Sequence, residues 1–594
     1  MDRSIFNYPI ESSTLLRKKI KIKKKLLEAG DNFTKKRIAV LGGSTTNEIV
    51  DQLELFLLNY GIKAEFYQSE YAQFWQDAMF GNEELDNFKP DIVYIHTNWR
   101  NINEFPTTSF SKDDADVLLE NTYSHFAVMW DKLAERFQCP IIQDNFDRPA
   151  WRLLGNSDIS DYRGRTNFIF RLNQKIYEYA ESHKAFFVND VDFIAASYGL
   201  DKWSNPLYWH MYKYSLCLDA IPSLAKNVAD IIKSIYGKNK KVLVCDLDNT
   251  LWGGVVGDDG VEGIQVGPEV PAGQIYSEFQ KYVKDLKSIG VLLAVNSKNN
   301  EENAIAGLNH PDGELKPDDF VSIKANWDNK DQNMHAIAAE LNLGIDSFVF
   351  VDDNPTEREI IKQADFGVAV PAMDKVENYI KAVDRNGFFE VTTLSDDDLS
   401  RVEMYKANAK RVQLQENAGS YDDFLKSLDM VATIREFEPI YIQRIAQLTN
   451  KSNQFNLTTL RCSESDINNM QISDEYICLY GKLEDKFGDN GVVSVVAGQI
   501  EDRKLHMRLW LMSCRVLKRG MEDAMLDALA EDAKARGIGS IIGYYYPTPK
   551  NGMVKEFYKK MGFEFINGDE NGNTVWKLDL AGYVPKDPQI EIKR

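Results

Sequence analysis

Cysteine and histidine are scarce in this 594-residue chain, six and seven residues respectively. The cysteines, Cys139, Cys217, Cys245, Cys462, Cys478 and Cys514, stand far apart with no CxxC pair. That spacing speaks against a disulfide framework and against a zinc site, and a reducing, cytoplasmic setting is expected. No apolar run approaches the ~20 residues of a membrane span. The start MDRSIFNYPIESSTLL has no basic head followed by an apolar stretch, so neither a signal peptide nor a membrane partner is expected. Positive charge is in deficit. Lys and Arg number 70 against 90 Asp and Glu, a formal net charge of −20, which argues against nucleic acid as a partner. Repeats and low-complexity linkers are also missing, so closely packed domains are expected.

What is present has the length and ordinary composition of several globular domains. Residues 1–36 hold the basic run RKKIKIKKKLL, read as one solvated face of a helix. Residues 37–238 alternate strand and helix patterns, beginning with KRIAVLGGSTT and the helically spaced VDQLELFLLNYGI, which implies a parallel sheet covered on both faces. Residues 239–375 restart that rhythm at KKVLVCDLDNT. Residues 376–594 mix amphipathic helices with antiparallel-looking strands such as GVVSVVAGQI and KLHMRLWLM. The fold class expected is α/β multidomain, with a C-terminal α+β part.

The chemistry concentrates in the third of these segments. VLVCDLDNT delivers Asp246 and Asp248 to a strand's carboxyl end, where open α/β sheets build their sites. Ser297 ends the next apolar strand, Lys330 stands near a helix start, and Asp352 and Asp353 end VFVDD. A phosphate monoester is anionic and resists an anionic nucleophile. Its cleavage therefore needs a hard cation on carboxylates, and a lysine and a hydroxyl on the phosphoryl oxygens. A carboxylate can then attack phosphorus while a second carboxyl handles the proton.

These residues resemble the four motifs of the haloacid-dehalogenase (HAD) superfamily. The fuller stretches DLDNTLWGGVVGDDGVEGIQVG, SKNN, NWDNKDQN and VDDNPTERE resemble the FkbH-like proteins, HAD class IIIC. The resemblance implies Asp246 as nucleophile, Asp248 as acid/base, and Thr250, Ser297 and Lys330 as substrate-binding residues. It implies Mg2+ on Asp246, the Asp248 carbonyl and one of Asp352 and Asp353, with Asp353 preferred. The intervals from Thr250 to Ser297 and from Lys330 to Asp352 are too short for a cap domain, so a capless, open Rossmann-type site is expected, with a flap around residues 252–267.

The order CRVLKRGMEDAMLDALAEDAKARGI, GSIIGYYYP, KNGMVKEFYKKMGF resembles the N-acetyltransferase (GNAT) fold, whose loop before the helix holds coenzyme A or a phosphopantetheine arm. FkbH-like proteins take a glyceryl unit from 1,3-bisphosphoglycerate, remove its phosphate and pass the acyl group to an acyl carrier protein. The resemblance therefore implies a phosphatase/acyltransferase with a carrier protein and a small phosphorylated three-carbon acid as partners. The alternative is a plain phosphatase of a small metabolite with accessory recognition domains. Cys514 is the candidate acyl-carrying thiol, because alternation puts it on one strand face with His506, Arg508, Trp510 and Met512, beside a basic loop and a helix start. Cys462 is the second candidate. In the N-terminal part, Ser44, Asn98 and His210 occur in the order of an SGNH-hydrolase-like site. The serine motif is GGS rather than GDS, and Leu207 stands where an aspartate is wanted, so a recognition or docking role is expected there.

Overall fold

The computed structural model describes residues 3–30, 33–416, 418–586 and 588–594. They divide into two compact units, Met1–Ile235 and Tyr236–Arg594, and form three sheets.

The first unit is built on β1 (Thr34–Gly42), β2 (Ile62–Gln68), β3 (Ile92–His96), β4 (Ile141–Asp144) and β5 (Phe186–Asn189). All pairs are parallel, in the order β2-β1-β3-β4-β5. The β3 and β4 strands are buried along their whole length, as expected when helices cover both faces. One face carries Phe126, Trp130, Phe146 and Phe168. The basic N-terminal run lies in the helix Ser12–Ala29, which buries Leu15, Ile22 and Leu26. Its lysines meet carboxylates of the helix Asn47–Asn59: Lys19 binds Glu48 and Asp51, and Lys23 binds Glu54. The helix Ser12–Ala29 is thus part of this unit rather than a segment apart, because an apolar stripe as well as a charged one runs along it.

The second unit contains β6 (Val242–Cys245), β7 (Leu292–Ser297), β8 (Ser322–Ala325) and β9 (Phe348–Val351), parallel in the order β8-β7-β6-β9. Alternate residues feed two cores. Leu243, Cys245, Leu293, Val295, Val349 and Val351 face one layer, and Val242, Val244, Leu292, Ala294, Phe348 and Phe350 face the other. Between β6 and β7 lie the helices Val256–Asp259 and Pro271–Ser288, and between β8 and β9 the helix Lys330–Leu341. No cap domain is inserted among these described residues. The expected boundary at 375 is not a physical one: Tyr379, Val383 and Phe388 complete one of these cores, and Val402 and Tyr405 the other.

The third sheet joins β10 (Val431–Glu436), β11 (Phe455–Asn456), β12 (Tyr476–Asp485), β13 (Gly488–Glu501), β14 (Lys504–Met512), β15 (Ser540–Tyr545), β16 (Glu564–Gly568), β17 (Thr574–Asp579) and β18 (Glu591–Lys593). It is largely antiparallel, in the order β16-β17-β15-β14-β13-β12-β10-β18, with β11 on β14. The helix Met521–Ala535 packs on one face and Ile442–Lys451 on the other. The register of β13 against β14 slips between Ala497 and Gly498. That bulge reverses the alternation. Leu505, Met507, Trp510 and Met512 share one core, and Leu509 and Leu511 the opposite one. His506 and Arg508 therefore do not share a face with Trp510 and Met512, contrary to the simple alternation of the sequence.

Candidate active site

The β6 strand ends at Cys245, and the turn that follows sets the site. Asn249 adopts a left-handed conformation, φ 55°, uncommon outside glycine. Its carbonyl accepts from the Tyr276 and Tyr379 hydroxyls, and its side chain accepts from the Gly254 amide. This bend carries Asp248 out of the sheet direction. The Asp246 amide donates to Val351 O at 2.9 Å, holding this residue beside the end of β9.

Asp246, Asp352 and Asp353 bring carboxylate oxygens within 4.8 Å of one another. Lys330, first residue of its helix and 3 % exposed, lies 3.0 Å from Asp246 Oδ1 and 2.5 Å from Asp352 Oδ2. Burial pushes the Asp352 carboxyl up, and the Asp246 charge adds to it, to about 6, against the pull of Lys330. Burial followed by Asp246 likewise raises Asp353. Burial alone would lower the Lys330 ammonium, but Asp246 and Asp352 outweigh it and hold it above the usual lysine range. Three carboxyls against one ammonium form an acidic oxygen cluster whose charge suits a hard divalent cation. Asp352 is occupied on both oxygens, by Lys330 and by the Asn354 amide at 2.8 Å. Among the described residues no hydrogen bond from another residue holds the Asp353 carboxylate.

Asp248 accepts from Trp252 Nε1 at 2.9 Å, the Val256 amide at 3.0 Å and Asn299 Nδ2 at 3.0 Å. Burial raises this carboxyl, and the Val256 and Trp252 donors draw it back. Trp252 is itself 1 % exposed and packed in the core. The expected flap thus begins only after it, because the indole is used to aim Asp248. Ser297 is buried at the end of β7. Thr250 is fully buried, and its hydroxyl accepts from the Asp353 amide at 3.1 Å, so it braces the two carboxylate loops against each other. Arg358 does similar work behind them, donating to the carbonyls of Asp352, Asp353 and Met373. The sequence reading placed Trp252 in a flap and passed over Arg358, although Arg358 lies in the VDDNPTERE stretch.

The C-terminal loop is less open to a ligand than its composition suggests. Arg519 binds Asp485, which also pairs with Arg411 at 2.7 Å, and Arg515 lies 3.6 Å from Asp397. The Lys518 amide donates to Glu522 Oε1 at 2.9 Å, so a carboxylate of the protein itself occupies the loop where the GNAT resemblance implies coenzyme A or a phosphopantetheine arm. Cys514 opens the turn Cys514–Val516, past the end of β14; its side chain lies outside the described residues. Cys462 is buried in a core.

In the first unit the Ser44–Asn98–His210 constellation does not assemble. His210 is exposed on the helix Pro206–Tyr212 and makes no hydrogen bond among the described residues. The Asn98 amide side chain is spent on Asn101 and the Arg100 backbone. The histidine that the sheet brings toward Ser44 is His96, at the end of β3. Pairing by strand order overrode the order of residues in the chain.

An Asp-x-Asp turn, a buried lysine and an acidic pair at the carboxyl ends of neighbouring parallel strands define a HAD-type phosphatase, and the chain is an enzyme of that class. The structure is similar to the N-terminal part of the protein BF1531 from Bacteroides fragilis, described as containing a phosphatase domain and complexed with Mg. The two share 30 % identity, covering 63 % of this chain and 99 % of that one, at a TM-score of 0.58. Residues 37–233 match the family model of the FkbH N-terminal domain. This chain therefore belongs among proteins that join an FkbH N-terminal domain to a HAD-type phosphatase domain. Similarity to the Escherichia coli ribosomal-protein-S18-alanine N-acetyltransferase is 13 % identity over 26 % of this chain and 98 % of that one, TM-score 0.21. For the Thermoplasma acidophilum PaiA N-acetyltransferase in complex with coenzyme A it is 16 %, 25 %, 98 % and 0.21. Both likenesses are too low to assign the C-terminal fold. No curated protein matches the chain.

Proposed function

We propose that the Asp246 site is a magnesium-dependent phosphatase acting on a small phosphorylated three-carbon acid, and that the C-terminal part transfers the acyl group to the phosphopantetheine thiol of a carrier protein. The carboxylate cluster with its single lysine is the observation that carries the first half. Asp246, Asp353 and the Asp248 carbonyl would hold Mg2+, which neutralises charge on the phosphate when bound. Asp246 Oδ attacks phosphorus, and the bond from phosphorus to the leaving oxygen breaks. Asp248 protonates that oxygen and later takes a proton from the water that hydrolyses the aspartyl phosphate. Lys330 and Ser297 hold phosphoryl oxygens through charge and hydroxyl hydrogen bonds.

The second half rests on the FkbH-like and GNAT-like resemblances of the sequence, with Cys514 as the thiol that receives the acyl group from an acyl phosphate. Asp246→Asn, which keeps the shape and removes the charge, is expected to lower turnover of 4-nitrophenyl phosphate by at least about 1,000-fold, roughly 4 kcal/mol of barrier. A variant keeping a tenth of the activity would remove Asp246 from this role. Intact-mass spectra of carrier proteins after incubation with 1,3-bisphosphoglycerate test the transfer. A carrier mass that stays unchanged leaves the plain phosphatase reading.

A further inference from the structure

A second set of reactive groups lies wholly within the first unit, apart from the phosphatase site. The strand order β2-β1-β3-β4-β5 reverses direction between β1 and β3, and the crevice at such a reversal, outside the carboxyl ends of the strands, is where open α/β sheets take ligands. The strands deliver Ser44, two residues beyond β1, His96, the last residue of β3, and Asp144, the last of β4. Ser215 reaches the same place from the segment after the helix Pro206–Tyr212, whose end is tied to the β1 loop by the Thr45 amide on Lys213 O, 3.0 Å.

Asp144 is fully buried. It accepts from Asn189 Nδ2 at 2.6 Å, Tyr94 Oη at 3.0 Å and His96 Nδ1 at 2.6 Å. A carboxylate only accepts, so Nδ1 carries the histidine proton and Nε2 presents a lone pair. Nε2 lies 2.9 Å from Ser215 Oγ. The Ser44 hydroxyl donates to that same Oγ at 3.1 Å. Ser215 therefore gives its proton toward a base already oriented by a buried carboxylate and keeps an oxygen lone pair for attack, the arrangement that activates serine nucleophiles.

Two arginines with no ion pair among the described residues gather on Trp99, three residues past His96. Arg100, four residues past His96, lies over Trp99 at 4.3 Å and Trp209 at 4.9 Å. Arg165 lies over Phe105 at 4.4 Å, Trp151 at 4.6 Å and Trp99 at 5.5 Å. The nearby carboxylates are committed elsewhere: Asp147 to the Trp99 amide and Trp203 Nε1, Asp158 to the Leu154 and Thr166 amides. Half-buried guanidiniums sharing one indole, with Asp147 and Asp158 near but in no ion-pair contact with them among the described residues, leave donors for an anion from outside.

We propose that the first unit carries a second catalytic centre, in which Ser215, His96 and Asp144 act as nucleophile, base and orienter on carboxylic esters bearing an anionic group, with that group held by Arg100 and Arg165. Ser215 Oγ bonds to the ester carbonyl carbon and its proton passes to His96 Nε2. The bond from that carbon to the leaving oxygen breaks, and His96 returns the proton to the departing alcohol. Water, deprotonated by His96, then releases the acid from Ser215.

The test is to treat the full chain with a fluorophosphonate and map the adduct by peptide mass spectrometry. An adduct on Ser215, formed equally in EDTA, is expected. An adduct on Ser44, or none, overturns the proposal, and this arm needs no variant that could misfold. Hydrolysis of the 4-nitrophenyl monoester of succinate should fall at least about 100-fold in Ser215→Ala, and a Ser215→Ala protein with wild-type turnover overturns it likewise. Arg100→Gln should raise KM for the succinate ester about tenfold more than for 4-nitrophenyl butyrate. An equal effect on both esters removes the anion from the proposal.

Discussion

Asp352 carries a pH dependence whose sign follows from its surroundings. Its carboxyl ordinarily titrates at 3.8, and burial with the neighbouring Asp246 charge raises it to about 6 in the folded protein. The folded state then binds this proton more tightly than the unfolded chain, so in metal-free protein the contribution of Asp352 to stability falls as pH rises from roughly 4 to 6. A divalent cation on the cluster opposes that loss by compensating the ionised carboxylates. Magnesium should therefore raise the melting temperature more at pH 7.5 than at pH 5.5, as measured by calorimetry in excess EDTA and in excess Mg2+. An equal rise at both pH values would show that protons and metal do not compete at this cluster.

At the scale of elements, the buried pairing of Asp485 with Arg411 and Arg519 ties three pieces together. Asp485 ends β12, Arg411 belongs to the helix Arg401–Glu416, and Arg519 precedes the helix Met521–Ala535. The side chains are 0 %, 4 % and 8 % exposed. Such a group adds little net stability when intact, but removing one member strands the charges that remain. Asp485→Ala should destabilise this unit by about 3 kcal/mol, read from urea unfolding. A loss below about 1 kcal/mol would mean that water reaches the two arginines. The same pairing keeps Arg519 turned inward, so the basic composition of the loop overstates the charge it offers to a ligand.

For the whole molecule, the first unit holds one sheet and the second unit two, and each unit has its own cluster of reactive side chains. Magnesium should slow amide exchange at residues 246–250 and 352–354 and leave 42–46 and 96–98 unchanged. Hydrogen-exchange mass spectrometry with and without Mg2+ checks this, and protection at 96–98 would show that the metal acts on the first unit as well.

The chain alone determined the phosphatase site, because its groups come from short apolar strands that each end in a reactive residue. The run VLVCDLDNT is apolar for four residues and then acidic, and parallel pairing of such runs brings Asp246, Ser297, Asp352 and Asp353 to one edge without further information. The absence of a cap followed from the same spacing. Tertiary structure decided the rest. The bulge opposite Ala497 and Gly498 turned His506 and Arg508 away from Trp510, since one extra residue in a strand exchanges its faces. Core packing carried the expected boundary at 375 on to Tyr405, and Trp252, read as part of a flap, went to the interior to aim Asp248. In the first unit, residue order pointed to His210. The sheet placed His96 there instead, because parallel pairing of β1, β3 and β4 sets neighbours in space by strand order, which no local motif records.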